Sequence, residues 1–394
     1  MGIDILFVSY GGSHALMLKD IYSSFLDKNY KVKYLALTAA EVTLTEAKLP
    51  YDKINIFVDN EEYLYKVLND FNIEEKKENF YMAISLSELV ESVGQDEAEK
   101  LFQKYGRSIF CQKELASKIL DFYKPKILIT SNIIRLTRAL YLSAKNRFIK
   151  TVYLEDIFMV PSHKFENEKS NLIQLSHPNI EIDYIIAFTI DAIEIIKKNL
   201  MKNNITNKAN VIALGNPNIE NILNKFKNSK QIKSLSFEYD LYLSNMYERD
   251  LASDLLVKFY KCNNRNLIIK THPLEDEKYY IDKFKLLKNV QIISSKESLI
   301  SLIKYSKNIF GTNTTALLEA KIINKPVYCL NLQESTLIDE TFIKTKIASN
   351  ITNLDELENI FKEKNSIKKH EIKIELDSIT KITELLLTLL EVKV

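Results

Sequence analysis

Short apolar runs alternate with stretches of helical periodicity along most of the chain, most densely between Leu267 and Leu330. There Leu267–Ile269, Val290–Ile293, Ile309–Phe310 and Pro326–Cys329 have the length of buried strands. The segments between them repeat apolar residues at helical spacing. Such alternation predicts a parallel sheet wrapped by helices. In sheets of this kind ligands sit beyond the carboxyl ends of the strands. Two polar loops fall at those ends, Thr271-His272-Pro273 and Gly311-Thr312-Asn313-Thr314-Thr315.

The N-terminal half has the same rhythm. A strand through Val8 ends in Ser9-Tyr10-Gly11-Gly12-Ser13-His14, and a helix is predicted from about Ala15 to Lys28. Lys31–Leu37, Ile54–Val58, Ile127–Thr130, Thr151–Leu154, Tyr184–Phe188 and Asn210–Leu214 read as further strands. Between Glu61 and Lys124 the pattern is mainly helical, and Arg135 to Arg147 forms another helix. Gly215-Asn216-Pro217 turns into a helix ending near Phe226, and the lysine-rich stretch from Lys227 to Ser236 reads as a linker. Tyr239 to Ser244 opens a second sheet, followed by Asn245. Leu354–Lys364 and a last helix from about Leu376 to Val392 complete the chain. We therefore expect an α/β protein with an N-terminal Rossmann-like domain over 1–228. A C-terminal Rossmann-like domain spans 229–375, and a terminal helix over 376–394 packs across both.

Composition narrows the function classes. With 54 Lys and Arg against 52 Asp and Glu, the formal charge of +2 implies no nucleic-acid partner. Three separated cysteines without a CxxC pair predict reduced thiols, a cytoplasmic protein and no structural zinc. No apolar window reaches the roughly 20 residues of a membrane span. The lysine clusters leave room for peripheral association with the inner face of a membrane. The glycines form neither GxGxxG nor GxxxxGK[ST], which argues against a nicotinamide, a flavin or a P-loop nucleotide. No cofactor is expected, and no metal.

Candidate chemistry gathers at predicted strand ends. Asn313 or Thr314 can cap the helix through Glu319, offering a phosphate seat of free N–H groups and the Thr314 and Thr315 hydroxyls. Glu319, one turn in, can accept hydrogen bonds from a ribose. The His272 imidazole can donate to a phosphate while Pro273 holds the turn. Asn245 and Ser295 follow neighbouring strands and join the nucleotide-binding candidates. In the first half, Gly11 and Gly12 let the backbone approach a ligand closely, with Ser13 beside them. His14 is a candidate base or phosphate donor. Glu155 and Asp156 close another strand, at the carboxyl end where catalysis happens in this architecture.

Two Rossmann-like halves with a nucleotide loop in the second resemble GT-B glycosyltransferases, whose parallel sheets face each other across a cleft. The resemblance implies an acceptor-binding domain over 1–228 and a nucleotide-sugar-binding domain over 229–375. Glu155-Asp156, His272-Pro273 and Thr314-Thr315 also resemble, in order, the D/E-D/E-G, HP and Ser/Thr motifs of bacterial sialyltransferases and polysialyltransferases. Ile157 stands where that family has glycine. The resemblance implies an inverting, metal-independent transfer from a CMP-sialic acid or related CMP-nonulosonic acid to a bacterial surface glycan, such as a capsule polysaccharide or lipooligosaccharide. Glu155 would be the base, with Asp156 its stand-in. His272, Thr314 and Thr315 would hold the leaving phosphate, and Glu319 the ribose.

Two alternatives stay open. Gly11-Gly12-Ser13-His14 resembles the first loop of UDP-sugar transferases, in which His14 would be the base, and the later loops resemble CDP-glycerol-dependent capsule and teichoic-type transferases. The UDP-N-acetylglucosamine 2-epimerases are a third relation by fold, though Asn313-Thr314-Thr315 replaces their serine-glycine-glycine. A catalytically silent nucleotide- or glycan-binding subunit is the other class, favoured by Ile157.

Overall fold

The computed structural model describes residues 2–57, 61–73, 80–155, 181–190, 193–194, 196–197, 209–246, 248–273, 275–312, 314, 316–334, 342–343, 347–362 and 375–391, the side chains at 13, 61, 80 and 108 excepted. The chain divides into two compact units. Met1–Asn218 and Glu375–Val394 form the first, and Ile219–Ile374 the second.

In the first unit the described strands are β1 (Ile5–Ser9), β2 (Val32–Ala36), β3 (Asp52–Lys53), β4 (Ile127–Thr130), β5 (Lys150–Leu154), β6 (Tyr184–Ala187) and β7 (Asn210–Ala213). They form one parallel sheet in the order β3-β2-β1-β4-β5-β6-β7. The helices are α1 (Ser13–Asp27), α2 (Ala40–Glu46), α3 (Glu61–Asp70), α4 (Phe80–Val93), α5 (Gln95–Tyr105), α6 (Lys113–Tyr123) and α7 (Arg135–Ala144). Strand β1 is buried along its whole length because helices cover both faces of such a sheet. Phe7 stacks on Tyr34 with ring centroids 6.0 Å apart and meets Tyr22 edge-on at 5.3 Å. Order reverses between β1 and β4, where connections leave in opposite directions and open a crevice at the carboxyl edge.

The last helix, α14 (Ser378–Glu391), belongs to this unit. Its Ile382, Leu386 and Leu389, spaced for one helical face, enter the core that holds Phe7, Ile21 and Phe25. Burying three such side chains contributes roughly 1.5–3 kcal/mol each. The hydroxyls of Ser24 on α1 and Thr383 on α14 lie 2.9 Å apart.

One strand differs from expectation. The third strand, expected at Ile54–Val58, is instead Asp52–Lys53 (β3); Ile54–Phe57 is a 3-10 turn, and Val58 lies outside the described residues. Only Leu35↔Asp52 and Ala36↔Lys53 pair at this edge. Ile54 alone turns into the core, while Ile56 is half exposed, so the apolar run lacks the two-sided burial a continued strand needs.

The second unit repeats the topology. Strands β8 (Asp240–Leu243), β9 (Leu267–Lys270), β10 (Val290–Ile293), β11 (Ile309–Gly311), β12 (Val327–Leu330) and β13 (Ser349–Ile351) are all parallel, in the order β10-β9-β8-β11-β12-β13. Helices α8 (Pro217–Asn228), α9 (Arg249–Cys262), α10 (Glu277–Phe284), α11 (Leu299–Tyr305), α12 (Ala316–Ile322) and α13 (Leu354–Lys362) accompany them. Edge strand β13 escapes the sequence pattern because it is three residues long, with Ile351 its one apolar residue. The lysine-rich stretch after α8 is tied to this unit: Lys304 Nζ donates to the carbonyls of Phe226 and Ser229, both at 2.9 Å.

Buried Asp240 anchors the start of β8. Its carboxylate takes both arms of Arg265 at 2.8 and 2.9 Å, the Tyr260 hydroxyl at 3.0 Å and the Asn308 amide at 2.7 Å. Four donors offset the cost of burying the charge.

Candidate functional sites

In the first unit the polar residues after β1 and β4 meet at the reversal of strand order. Gly11 has φ +134°, and a Cβ there would fall 2.7 Å from Ala39 Cβ and 2.8 Å from the Ala40 backbone nitrogen. Only glycine lets the chain pass under α2 and enter α1. Gly12, at φ 60° and ψ −139°, precedes the first turn of α1, and no side chain caps the helix start. Ser13 opens that helix, and half-buried His14 follows it.

These loops wall a cavity of about 200 Å³. His14 and Tyr10 line one side, Asn132, Ile134 and Arg135 another, with Thr38, Tyr81, Met82 and Arg107 completing it. Its floor is rigid. The Tyr10 and Tyr81 hydroxyls lie 2.6 Å apart, the Leu136 N–H donates to Tyr10 at 3.0 Å, and the Gln112 amide donates to Tyr81 at 2.8 Å. Burial pushes the Tyr10 phenol well up and the Tyr81 phenol up, so both remain neutral donors. Thr38 and Arg135 hold φ of 53° and 48°, and residues in this region store strain. The Thr38 hydroxyl donates to the Tyr10 carbonyl at 2.7 Å, which fixes that turn.

Glu155 follows β5 on the same carboxyl edge. Its N–H donates to the Ile186 carbonyl at 3.0 Å, and the residue is wholly buried. Asp156 lies outside the described residues, as does Ile157.

In the second unit the loops after β8, β9 and β10 are bound into one surface. The Ser244 hydroxyl donates to Glu275 Oε2 at 2.5 Å and accepts the His272 N–H at 3.0 Å. Tyr280 donates to the other oxygen of Glu275 at 2.8 Å. Lys270, at the end of β9, donates to the Ser295 carbonyl at 2.7 Å, which pins the loop after β10, and partial burial lowers the pKa of its ammonium. His272 and Asn245 are half-buried, and Pro273 is exposed.

The loop after β11 supplies the other wall at this sheet's reversal, next to β8. The Thr312 hydroxyl is fully buried and has no partner among the described residues. Thr314 Oγ1 accepts the Ala316 N–H at 3.4 Å, a loose start to α12. Asn313 and Thr315 lie outside the described residues. A Cβ at Gly311 would approach Leu317 Cδ2 to 2.9 Å and Thr314 Cγ2 to 3.0 Å, so a side chain there would make the Leu317 side chain shift. Glu319, in the first turn of α12, is pushed up to about 7 by burial, with Lys225 opposing weakly. It has no hydrogen-bond partner among the described residues. A carboxyl at that value gains from any donor brought to it.

Thr38, Arg107, Asn132, Arg135, Thr312 and Glu275 did not stand out as isolated letters in the sequence. One signal did point to Asn132 and Arg135: they fall between the predicted strand Ile127–Thr130 and the predicted helix at Arg135, at the strand end beside β1.

No sequence-family model matches the chain, and no curated protein matches it. Solved structures do. The UDP-GlcNAc 2-epimerase of Methanocaldococcus jannaschii, in complex with UDP-GlcNAc and UDP, aligns with a TM-score of 0.60 at 16% identity over 98% of this chain and 100% of its own. The fold is GT-B. The UDP-GlcNAc 2-epimerase of Neisseria meningitidis bound to UDP-GlcNAc gives 0.63 at 14% identity, again over 98% and 100%. A glycosyltransferase from Rickettsia africae gives 0.52 at 12% identity over the whole of both chains. At these identities the likeness is one of fold, two parallel-sheet Rossmann-like domains in one chain. Among the described residues no helix is long and apolar enough to cross a membrane.

Proposed function

We propose that the protein is an inverting glycosyltransferase that takes its sugar from a pyrimidine-nucleotide donor. The nucleotide occupies the carboxyl edge of the second unit's sheet, and the acceptor occupies the cavity of the first. The observation that carries this reading is Glu319. Its partly buried carboxyl, raised to about 7 and without a hydrogen-bond partner among the described residues, stands one turn into the helix after β11, where ribose hydroxyls would complete it. His272, Thr312, Thr314 and Asn245 would meet the phosphate, and fixed donors around a leaving phosphate favour departure. UDP-GlcNAc in two proteins of the same fold is consistent with this use of it.

Two donors remain distinct readings. The order Glu155-Asp156, His272-Pro273, Thr314-Thr315 favours a CMP-nonulosonic acid with Glu155 as base and a surface glycan as acceptor. His14 on the cavity wall favours a UDP-sugar with His14 as base, since a base must reach the acceptor hydroxyl. Incubation with CMP-sialic acid, UDP-sugars and CDP-glycerol, each with EDTA, separates them by which nucleotide is released. Release from none of the three overturns the enzyme reading and leaves a nucleotide- or glycan-binding subunit.

A further inference from the structure

The cavity of the first unit has a chemical bias that the transferase reading does not use. Arg107, from the 3-10 turn Gly106–Ile109, and Arg135, from the start of α7, both line it. Among the described residues, neither guanidinium is paired with a carboxylate and no carboxylate lines the cavity. Asn132 is 93% buried, being 7% exposed. Its Oδ1 accepts the Thr137 hydroxyl at 2.6 Å, yet its buried Nδ2 has no partner among the described residues. A buried amide N–H without an acceptor is destabilising, and an acceptor brought by a ligand would relieve it. The Arg135 guanidinium is held above the Tyr10 ring, Cζ 5.7 Å from the centroid, on a backbone strained to φ 48°.

Two guanidiniums without carboxylate partners, lining one cavity with a residue whose amide donor is unpartnered, call for an acceptor-only group of negative charge, because neutral hydroxyls leave both guanidiniums uncompensated. We propose that the acceptor substrate is anionic, and that Asn132, Arg107 and Arg135 bind a carboxylate or phosphate on it next to His14. This rests on the transferase reading, since it names that reading's acceptor. The three residues are specificity and positioning residues, because they hold a group remote from the hydroxyl that reacts.

The test is calorimetric binding of matched probes to the full-length protein: lactose against 3′-sialyllactose for a carboxylate, and glucose against glucose 6-phosphate for a phosphate. CMP and UDP are titrated in parallel. At least one charged probe is expected to bind about tenfold or more tighter than its neutral partner, and whichever pair shows it names the anion. R107Q, on an exposed side chain, and R135Q should each lose most of that preference. N132D, nearly isosteric and so kept folded, should abolish it by placing a carboxylate against the anion. CMP and UDP affinities should stay unchanged in all three variants.

Equal or absent binding of charged and neutral probes overturns the proposal, and so does a preference that survives all three substitutions. Weaker CMP or UDP binding in R107Q and R135Q also overturns it, because the cavity would then belong to the donor phosphate. If wild-type protein binds neither nucleotide but keeps the preference and loses it in the variants, the anion site stands and the transferase reading falls.

Discussion

The backbone N–H of His272 donates to the hydroxyl of Ser244 at 3.0 Å, which fixes the loop after β9 to the loop after β8. Glu275 closes the arrangement by accepting that hydroxyl's proton. The position of the His272 imidazole thus depends on two side chains that never need touch a ligand. Ser244→Ala should leave the fold intact and weaken nucleotide binding by about three- to tenfold, the effect of one hydrogen bond. Titration calorimetry with the preferred nucleotide checks this, and unchanged affinity would mean the loop is held by other contacts.

Glu319 makes the second site pH-dependent. Its folded value of about 7 lies above the ordinary carboxyl value of 4.5. The folded state therefore keeps a proton that the unfolded state releases, and stability declines as pH rises from about 4.5 to 7. Glu319→Gln removes this term. The variant should match wild type near pH 4 and exceed it near pH 8 by on the order of 2–3 kcal/mol in chemical denaturation. Nucleotide affinity should move the opposite way in wild type, rising between pH 6 and 8 as the carboxylate becomes the better acceptor. A flat affinity profile would remove Glu319 from the ribose.

The base is decided by two substitutions. If His14 takes the acceptor proton, His14→Ala should cut turnover by roughly 10²–10⁴ with nucleotide binding intact, and Glu155→Gln should act mainly through stability, because Glu155 is fully buried. The reverse outcome, with Glu155→Gln inactive but stable in a melting curve, restores the order-of-motifs reading and the CMP donor.

Asp240 is structural. Asp240→Ala would leave Arg265 without its bidentate partner and remove the acceptor of Tyr260 and Asn308. Loss of about 3–5 kcal/mol is expected, measured by urea unfolding. A loss below about 1 kcal/mol would show that water replaces the carboxylate.

The two-sheet architecture was legible because buried parallel strands are short apolar runs, and Ile5–Ser9, Leu267–Lys270 and Val327–Leu330 carry that signal within a few residues. It failed at the edges. Asp52–Lys53 and Ser349–Ile351 pair along short stretches and bury little, so their letters resemble turns. The loops at His272 and at Gly311–Thr315 were legible as polar interruptions at strand ends, while the part Glu275 plays and the burial of the Thr312 hydroxyl were not. Glu275 acts through Ser244, 31 residues earlier, and the Thr312 hydroxyl matters because of its burial. Neither property exists in a linear pattern. Asn132 and Arg135 were within reach, since strand order places the β4 loop beside the β1 loop.

The most direct test of the account is a thermal-shift panel of CMP, CDP, UMP and UDP on wild type and on His272→Ala. Ligand that binds the folded state alone stabilises it by mass action, about 2.7 kcal/mol at a hundred times Kd. At least one of the four is predicted to raise Tm in wild type. His272→Ala should lose most of that rise, matching a contact of roughly 1.5–3 kcal/mol. No shift with any of the four, or an undiminished shift in His272→Ala, would contradict a nucleotide site at the second sheet's carboxyl edge.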